Sequence, residues 1–383
     1  MDVDLSPELQ AVRDLAREFA ENEIAPSAAK DDRERLFRRD LVLKMGELGF
    51  YGCVVPEAYG GTNLGFLALA LVTEEVARVH SAMRVAINMQ IGPALTVLQF
   101  GNEEQKQKWI PPLIRGETVG CFAITEPNAG SDVAAMTTTA KRDGSGYALN
   151  GTKTWISNGP VADAALVYAY TDRAAKHHGI SAFYADLGQP GVDRRALATL
   201  GAHASPVGEL TFENFRLPFE TRIGAEGDGF SICMWQLNQT RLSCAAGALG
   251  VARAARESAI EYANQREQFG QKIGQFQMNQ DLIAQMVVHE EASRLLVYRA
   301  ACLADQSRPN NLEVSMAKYA AAEAAAFAAD AALRILGAYG YSTDFPVERY
   351  LRDAKSYQIV EGSSNIQKLI IAQDVLGYRK ANR

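Results

Sequence analysis

Tyr147-Ala-Leu-Asn-Gly-Thr-Lys-Thr-Trp-Ile-Ser157 alternates apolar and polar residues in the middle of a chain whose two ends read as helix. The alternation predicts strand. Asn150-Gly151, where both residues tolerate positive φ, predicts a two-residue hairpin turn between strands at 147–149 and 152–156. Short runs at 165–170, 181–185 and 210–215 carry the same signature from about Val119 to Leu217. Strands gathered into one segment, with helices before and after, predict an α+β chain with separate domains and not a doubly wound parallel sheet.

Outward from that segment, Leu9, Val12, Leu15, Ala16 and Phe19 recur at helical spacing, and helices are predicted over 66–79, 82–100 and 103–114. Pro93 should kink or split the second of these. Eleven of the thirteen prolines lie between Pro7 and Pro218, and only Pro309 and Pro346 follow. The stretch they leave is rich in Ala, Glu, Gln and Leu, which predicts long helices over 229–304 and 312–336 packed as a bundle. The Ala-rich run 320–332 suits a closely packed helix. The expected division is an all-α domain at 1–118, a β barrel or sandwich at 119–224 and a helical bundle at 225–383.

With 383 residues the chain can bury a sizeable core. A net charge of -6 offers no basic surface for nucleic acid. The five cysteines are scattered without a CxxC pair, so neither a disulfide framework nor a metal site is expected, and a reducing cytoplasmic setting fits. The N-terminus lacks the basic and apolar regions of a signal peptide, and the apolar stretch 244–255 is too short to span a bilayer. No membrane association is expected.

Chemistry enters at Leu351-Arg-Asp-Ala-Lys-Ser-Tyr-Gln-Ile-Val-Glu-Gly-Ser-Ser-Asn-Ile-Gln367. Ser364 and Gln367 have capping-box spacing, and Gly362 permits a turn that would rotate Glu361 out of the helix line. Glu361 then either complements a helix dipole or is an aimed catalytic base. Ala123-Ile-Thr-Glu-Pro-Asn-Ala-Gly-Ser-Asp132 is an ordinary loop or a backbone cradle for a phosphate or ring oxygen. Trp155 is either core or a plate against a planar cofactor, with the Ser157 hydroxyl near a ring nitrogen. His80, Arg84 and Asn88 recur every four residues and share one helix face.

Thr125-Glu-Pro-x-x-Gly-Ser-Asp132, Asn150-Gly-x-Lys-x-Trp-Ile-Ser157, Arg266-x-x-Phe-Gly270 and Arg352-Asp-Ala-Lys…Glu361-Gly-Ser-Ser stand in an order and spacing that resembles the acyl-CoA dehydrogenase family. The resemblance implies an N-terminal α domain, a middle β domain and a C-terminal four-helix bundle, assembled as a homotetramer with one FAD per subunit. It implies a flavin wall at Phe122, Ile124, Thr125, Gly130 and Ser131, with Trp155 and Ser157 beside the ring. Arg266, Phe269 and Gln277 would reach a neighbouring subunit's FAD, and Arg334, Gly337, Ser363 and Asn365 would add cofactor contacts. Glu361 would be the base that removes a thioester α-proton while hydride passes to flavin. Thr240 matches the position where some members place their base instead, and threonine cannot serve. Ser131, Asn238, Arg241 and Gly362 would lie along the substrate, although many members carry aspartate where this chain has Asn238. Arg84 and Asn88 are expected at the far end of the acyl pocket, where they face a polar or carboxylate tail or close the pocket against long chains; the bland alternative is a capped, solvent-facing stripe or an intersubunit salt bridge. The implied substrate is an acyl-CoA or an acyl-carrier-protein thioester, and the implied electron acceptor an electron-transfer flavoprotein. The alternative is an oxygen-using acyl-CoA oxidase or flavin monooxygenase.

Overall fold

The computed structural model describes residues 5–378. Its N-terminal part is helical: α1 (Pro7–Phe19), α2 (Ala25–Glu34), α3 (Arg39–Glu47), α4 (Gly65–Val79), α5 (Ser81–Phe100) and α6 (Glu103–Ile114). Ser6 caps α1 through the Leu9 amide, and Asn102 with Gln105 forms a reciprocal capping box on α6. Pro93 sits inside α5 without splitting it.

The central sheet comprises β1 (Gly120–Ala123), β2 (Thr139–Asp143), β3 (Gly146–Ser157), β4 (Ala164–Tyr170), β5 (Ile180–Asp186), β6 (Val192–Leu197), β7 (Val207–Pro218) and β8 (Arg222–Ile223). Its order is β6-β7-β3-β2-β4-β5-β8, with β1 parallel to β4. The hairpin expected at Asn150-Gly151 is not there, because β3 runs straight through both residues. The turn lies earlier, at Gly144-Ser145 between β2 and β3. Asn150 and Gly151 instead form an irregularity against β7. Asn150 Oδ1 accepts the Asn214 amide at 2.9 Å, and a Cβ on Gly151 would lie 2.5 Å from Thr138 Oγ1. Gly151, at φ 143, gives the close backbone approach, and the bulge it faces is on β7, where Asn214 has φ 48.

The C-terminal helices are α7 (Gly229–Gln265), α8 (Gln277–Asp305), α9 (Asn311–Leu336), α10 (Val347–Tyr357) and α11 (Ser364–Val375). The helix predicted over 229–304 is interrupted by a hairpin, β9 (Glu267–Gln268) with β10 (Gln271–Lys272). Phe269 and Gly270 at its tip both have positive φ, the signature of a tight primed turn that helical composition around it concealed. One core joins α7 to α10 and is built on fully buried alanines of α9, among them Ala317, Ala321, Ala325, Ala328 and Ala332. Small side chains let α9 approach α7 closely. A second core joins α1, α4 and α5 to one face of the sheet.

Candidate active site

Glu361 stands on the joint between α10 and α11, at φ 57, followed by Gly362 at φ 83. A left-handed non-glycine residue costs free energy and persists only where its surroundings hold it. Three side chains hold this one. Arg241 Nε donates to the Glu361 carbonyl at 2.9 Å, and Lys318 Nζ donates to the Gly362 carbonyl at 2.8 Å. Gln367 Nε2 donates to the Gly362 carbonyl at 2.9 Å and lies 3.5 Å from that of Glu361. The helix that follows is capped by Ser363, one residue earlier than the predicted capping box. Ser364 turns its hydroxyl to Glu323 at 2.6 Å, and Gln367 is spent on the turn.

The carboxylate is held at both oxygens. Asn88 Nδ2 donates to Oε1 at 3.2 Å and Thr240 Oγ1 to Oε2 at 3.0 Å. Burial raises the Glu361 pKa above its ordinary value, against Arg241, the Thr240 hydrogen bond, Arg84 and Lys318, which favour the charged form. Arg84, Arg241 and Lys318 are all buried around this one carboxylate. Asn88 therefore meets the carboxylate of Glu361, not a distal position, while Arg84 stacks on Tyr357 with Cζ 4.7 Å from the ring centroid. His80, predicted on the same face, precedes α5 in extended conformation and is buried with neither ring nitrogen hydrogen-bonded.

Asn238 Nδ2 donates to Asn310 Oδ1 at 3.1 Å and ties α7 to the turn before α9. Phe122 is half-buried beside Gly92 of α5, where a Cβ would meet the Phe122 ring at 3.0 Å and Gln236 Nε2 at 2.9 Å. Ile124 is buried, Thr125 half-buried, and Gly130 and Ser131 exposed. The Thr125 carbonyl accepts the Thr154 amide at 2.9 Å, which lays this loop alongside Trp155. Trp155 is 59% exposed at φ 60, on an irregular part of β3, so its indole stands off the sheet and is not core. Ser157 is half-buried on the same strand, and Ser363 and Asn365 open α11.

Beneath the loop, buried Lys153 donates to Glu126 Oε1 at 2.8 Å and to the Ile124 carbonyl at 3.1 Å. Burial alone would raise the Glu126 carboxyl, but Lys153 and the hydrogen bonds from Thr138 and Thr137 hold it down to about 2. Lys153→Met would leave Glu126 buried without its cation, so a stability loss of roughly 3–5 kcal/mol is expected in urea unfolding, with the double variant Lys153→Met/Glu126→Gln recovering part of it.

Arg266, Phe269, Gln277, Arg334 and Gly337 make no hydrogen bond or ion pair to the Glu361 cluster among the described residues. Arg266 Cζ lies 5.5 Å from the Tyr339 ring centroid, and Phe269 is 95% exposed at the hairpin tip. Gln277 begins α8 in an exposed position, and Arg334 lies 3.6 Å from Asp330. Sequence reasoning missed Lys318, Tyr357 and the hydrogen-bonding role of Thr240. A lone lysine in register with Val314, Ala321 and Ala325 on an alanine-rich helix was the available signal for Lys318.

Among the described residues, no helix is long and apolar enough to cross a membrane and no cluster of three or more His, Cys, Asp or Glu side chains suits a metal ion. Models for the acyl-CoA dehydrogenase N-terminal, middle and C-terminal domains match residues 6–117, 121–215 and 227–376. The chain is 53% identical to a glutaryl-CoA dehydrogenase of Desulfococcus multivorans, covering 100% of both. It is 42% identical to the mitochondrial short-chain specific acyl-CoA dehydrogenase of Mus musculus, covering 98% of this chain and 91% of that one. A solved glutaryl-coenzyme A dehydrogenase in complex with glutaryl-CoA superimposes with a TM-score of 0.97 at 52% identity, covering 100% of this chain and 98% of that one. An FAD complex of PigA superimposes at 0.94 with 30% identity, covering 99% of this chain and 100% of that one. With three domain matches in order and a carboxylate held at the joint where the motifs placed one, the chain belongs to the acyl-CoA dehydrogenase family of oxidoreductases.

Proposed function

We propose that the protein is an FAD-dependent dehydrogenase that removes the α-proton and β-hydride of a dicarboxylic acyl-CoA, with Glu361 as the base. The observation that carries this reading is a buried excess of positive charge. Arg84, Arg241 and Lys318 surround Glu361, and Arg84 forms no ion pair with any described carboxylate. Guanidinium desolvation is costly, Glu361 is one anion among three cations, and a substrate ending in a carboxylate supplies a second.

Glu361 accepts the α-proton at a carboxylate oxygen, while Thr240 and Asn88 fix its direction. The Glu361 amide donates to no protein acceptor among the described residues, which leaves it available to a thioester oxygen as enolate charge develops. The residues fit FAD: an indole standing free at Trp155, a loop braced by Lys153, and Gly130, around which a Cβ would meet nothing within 4 Å. When bound there, FAD supplies the hydride acceptor. Phe122, Ile124, Thr125, Gly130, Ser131, Trp155, Ser157, Ser363 and Asn365 are assigned to the flavin end. Ser131, Arg241 and Gly362 are assigned to the substrate, whereas Asn238, engaged with Asn310, is left without a direct role.

Arg266, Phe269, Gln277, Arg334 and Gly337 are assigned to the FAD of a partner subunit in a homotetramer. The turn explains the backbone of Phe269, but an aromatic ring left 95% exposed at a hairpin tip suits contact with another subunit. An electron-transfer flavoprotein is the proposed acceptor. Anaerobic titration of the purified holoenzyme with glutaryl-CoA, butyryl-CoA and a long-chain acyl-CoA tests the whole reading. Flavin bleaching is expected first and most completely with glutaryl-CoA, and no bleaching by any thioester would refute it.

A further inference from the structure

We propose that Tyr357 is a positioning residue that makes the site selective for substrates ending in a carboxylate, because it holds the Arg84 guanidinium in one orientation. Its role rests on the assignment of Arg84 to the substrate carboxylate. A long arginine side chain loses much conformational freedom on binding, and its planar fork grips a carboxylate in two places only when correctly turned. Three elements fix that turn. Tyr357, fully buried on α10, places its ring under the guanidinium with 4.7 Å between Cζ and the centroid, and its hydroxyl accepts from Arg84 Nε at 3.2 Å. Ser81, three residues before Arg84 on α5, lies with its hydroxyl 2.9 Å from the Tyr357 hydroxyl. With Arg84 donating to Tyr357, the phenol proton is directed to Ser81.

Gly247 on α7 completes the niche. A Cβ there would lie 2.7 Å from Arg84 Nε and 2.9 Å from the Tyr357 hydroxyl. A side chain of any size would push the stacked pair apart. Since Tyr357 engages Nε, the two terminal guanidinium nitrogens form the edge that a substrate carboxylate approaches. Tyr357 itself makes no hydrogen bond to Glu361, so its effect falls on the tail and not on proton transfer.

The test is the ratio of kcat/KM for glutaryl-CoA to that for butyryl-CoA in FAD-loaded enzyme. Tyr357→Phe keeps the ring and removes the hydroxyl, and is expected to lower the ratio about tenfold. Tyr357→Leu removes the stack as well and should lower it further, to roughly a hundredfold in all. In an Arg84→Ala background, Tyr357→Phe should change the ratio no further, since the two act as one unit. An unchanged ratio in Tyr357→Phe, or an equal drop with and without Arg84, would overturn the proposal even if Arg84→Ala alone is selective. If Arg84→Ala leaves the ratio unchanged, the assignment of Arg84 itself fails, which is a separable result. Should Tyr357→Leu fail to fold, the near-isosteric Tyr357→Phe still decides.

Discussion

Glu361→Gln is expected to lower kcat by about 10³- to 10⁴-fold, with FAD still bound, because among the described residues no other carboxylate is hydrogen-bonded to Thr240, Asn88 or Arg241. Thr240, on the neighbouring turn of α7, is a hydrogen-bond donor to Glu361 and cannot accept a thioester α-proton. The wild-type pH profile follows from the same burial. Since the folded carboxyl titrates above its ordinary 4.5, activity should fall on acidification at a pH above the normal glutamate range. Stability should run the other way. Between pH 4.5 and the raised folded value, the folded state binds more protons than the unfolded state, so stability is lost as pH rises through that window. Glu361→Gln removes this penalty, and its Tm should exceed that of wild type near neutral pH and match it more closely below pH 4.5. Full activity in Glu361→Gln would refute the assignment of the base. An inactive variant with no gain in Tm at neutral pH would show that the carboxylate is not held in a costly environment.

Strand alternation, proline distribution and alanine content suffice to read helices, then sheet, then helices from the chain alone. They do not reach features set by contacts between distant residues. Asn150-Gly151 obeys a local rule for positive φ, yet the rule is shared by hairpin turns and by strand positions that another backbone approaches closely, and only the approach of Thr138 and Asn214 separates the two. The short hairpin at Phe269-Gly270 has too few residues to change the helical pattern of its surroundings. At the site, Glu361 and Gly362 were legible because a carboxylate and a glycine interrupt a helix boundary. Lys318 was not, since nothing local distinguishes a lysine that snorkels to water from one that crosses a helix interface to grip the Gly362 carbonyl. Asn88 and Arg84 share a helix face as the spacing implied, but one turn of helix sends the first to the base and the second to Tyr357. Periodicity gives the face and tertiary packing gives the partner.

Arg84→Ala is expected to lower kcat/KM for glutaryl-CoA by about 30-fold to several-thousand-fold more than for butyryl-CoA. The range corresponds to the roughly 2–5 kcal/mol lost when one partner of a buried hydrogen-bonded charge pair is truncated. The loss is this large because the tail carboxylate would otherwise sit among buried α5, α7 and α10 side chains without a fork to meet it. Butyryl-CoA ends in a methyl group whose binding gains nothing from a guanidinium, so any loss through the charge of Glu361 falls on both thioesters and the ratio reports the tail alone. Arg84→Lys keeps a charge but not the planar pair of donors, and should fall between wild type and alanine. A purely structural arginine predicts otherwise: equal losses on both thioesters, together with a lower Tm. The pairing in hand leaves room for a second anion, since Arg84 has the Tyr357 ring and hydroxyl and the field of Glu361, but no carboxylate within ion-pair distance among the described residues. A Tm near that of wild type with a collapsed preference for the dicarboxylic thioester would place the positive charge of α5 in substrate selection.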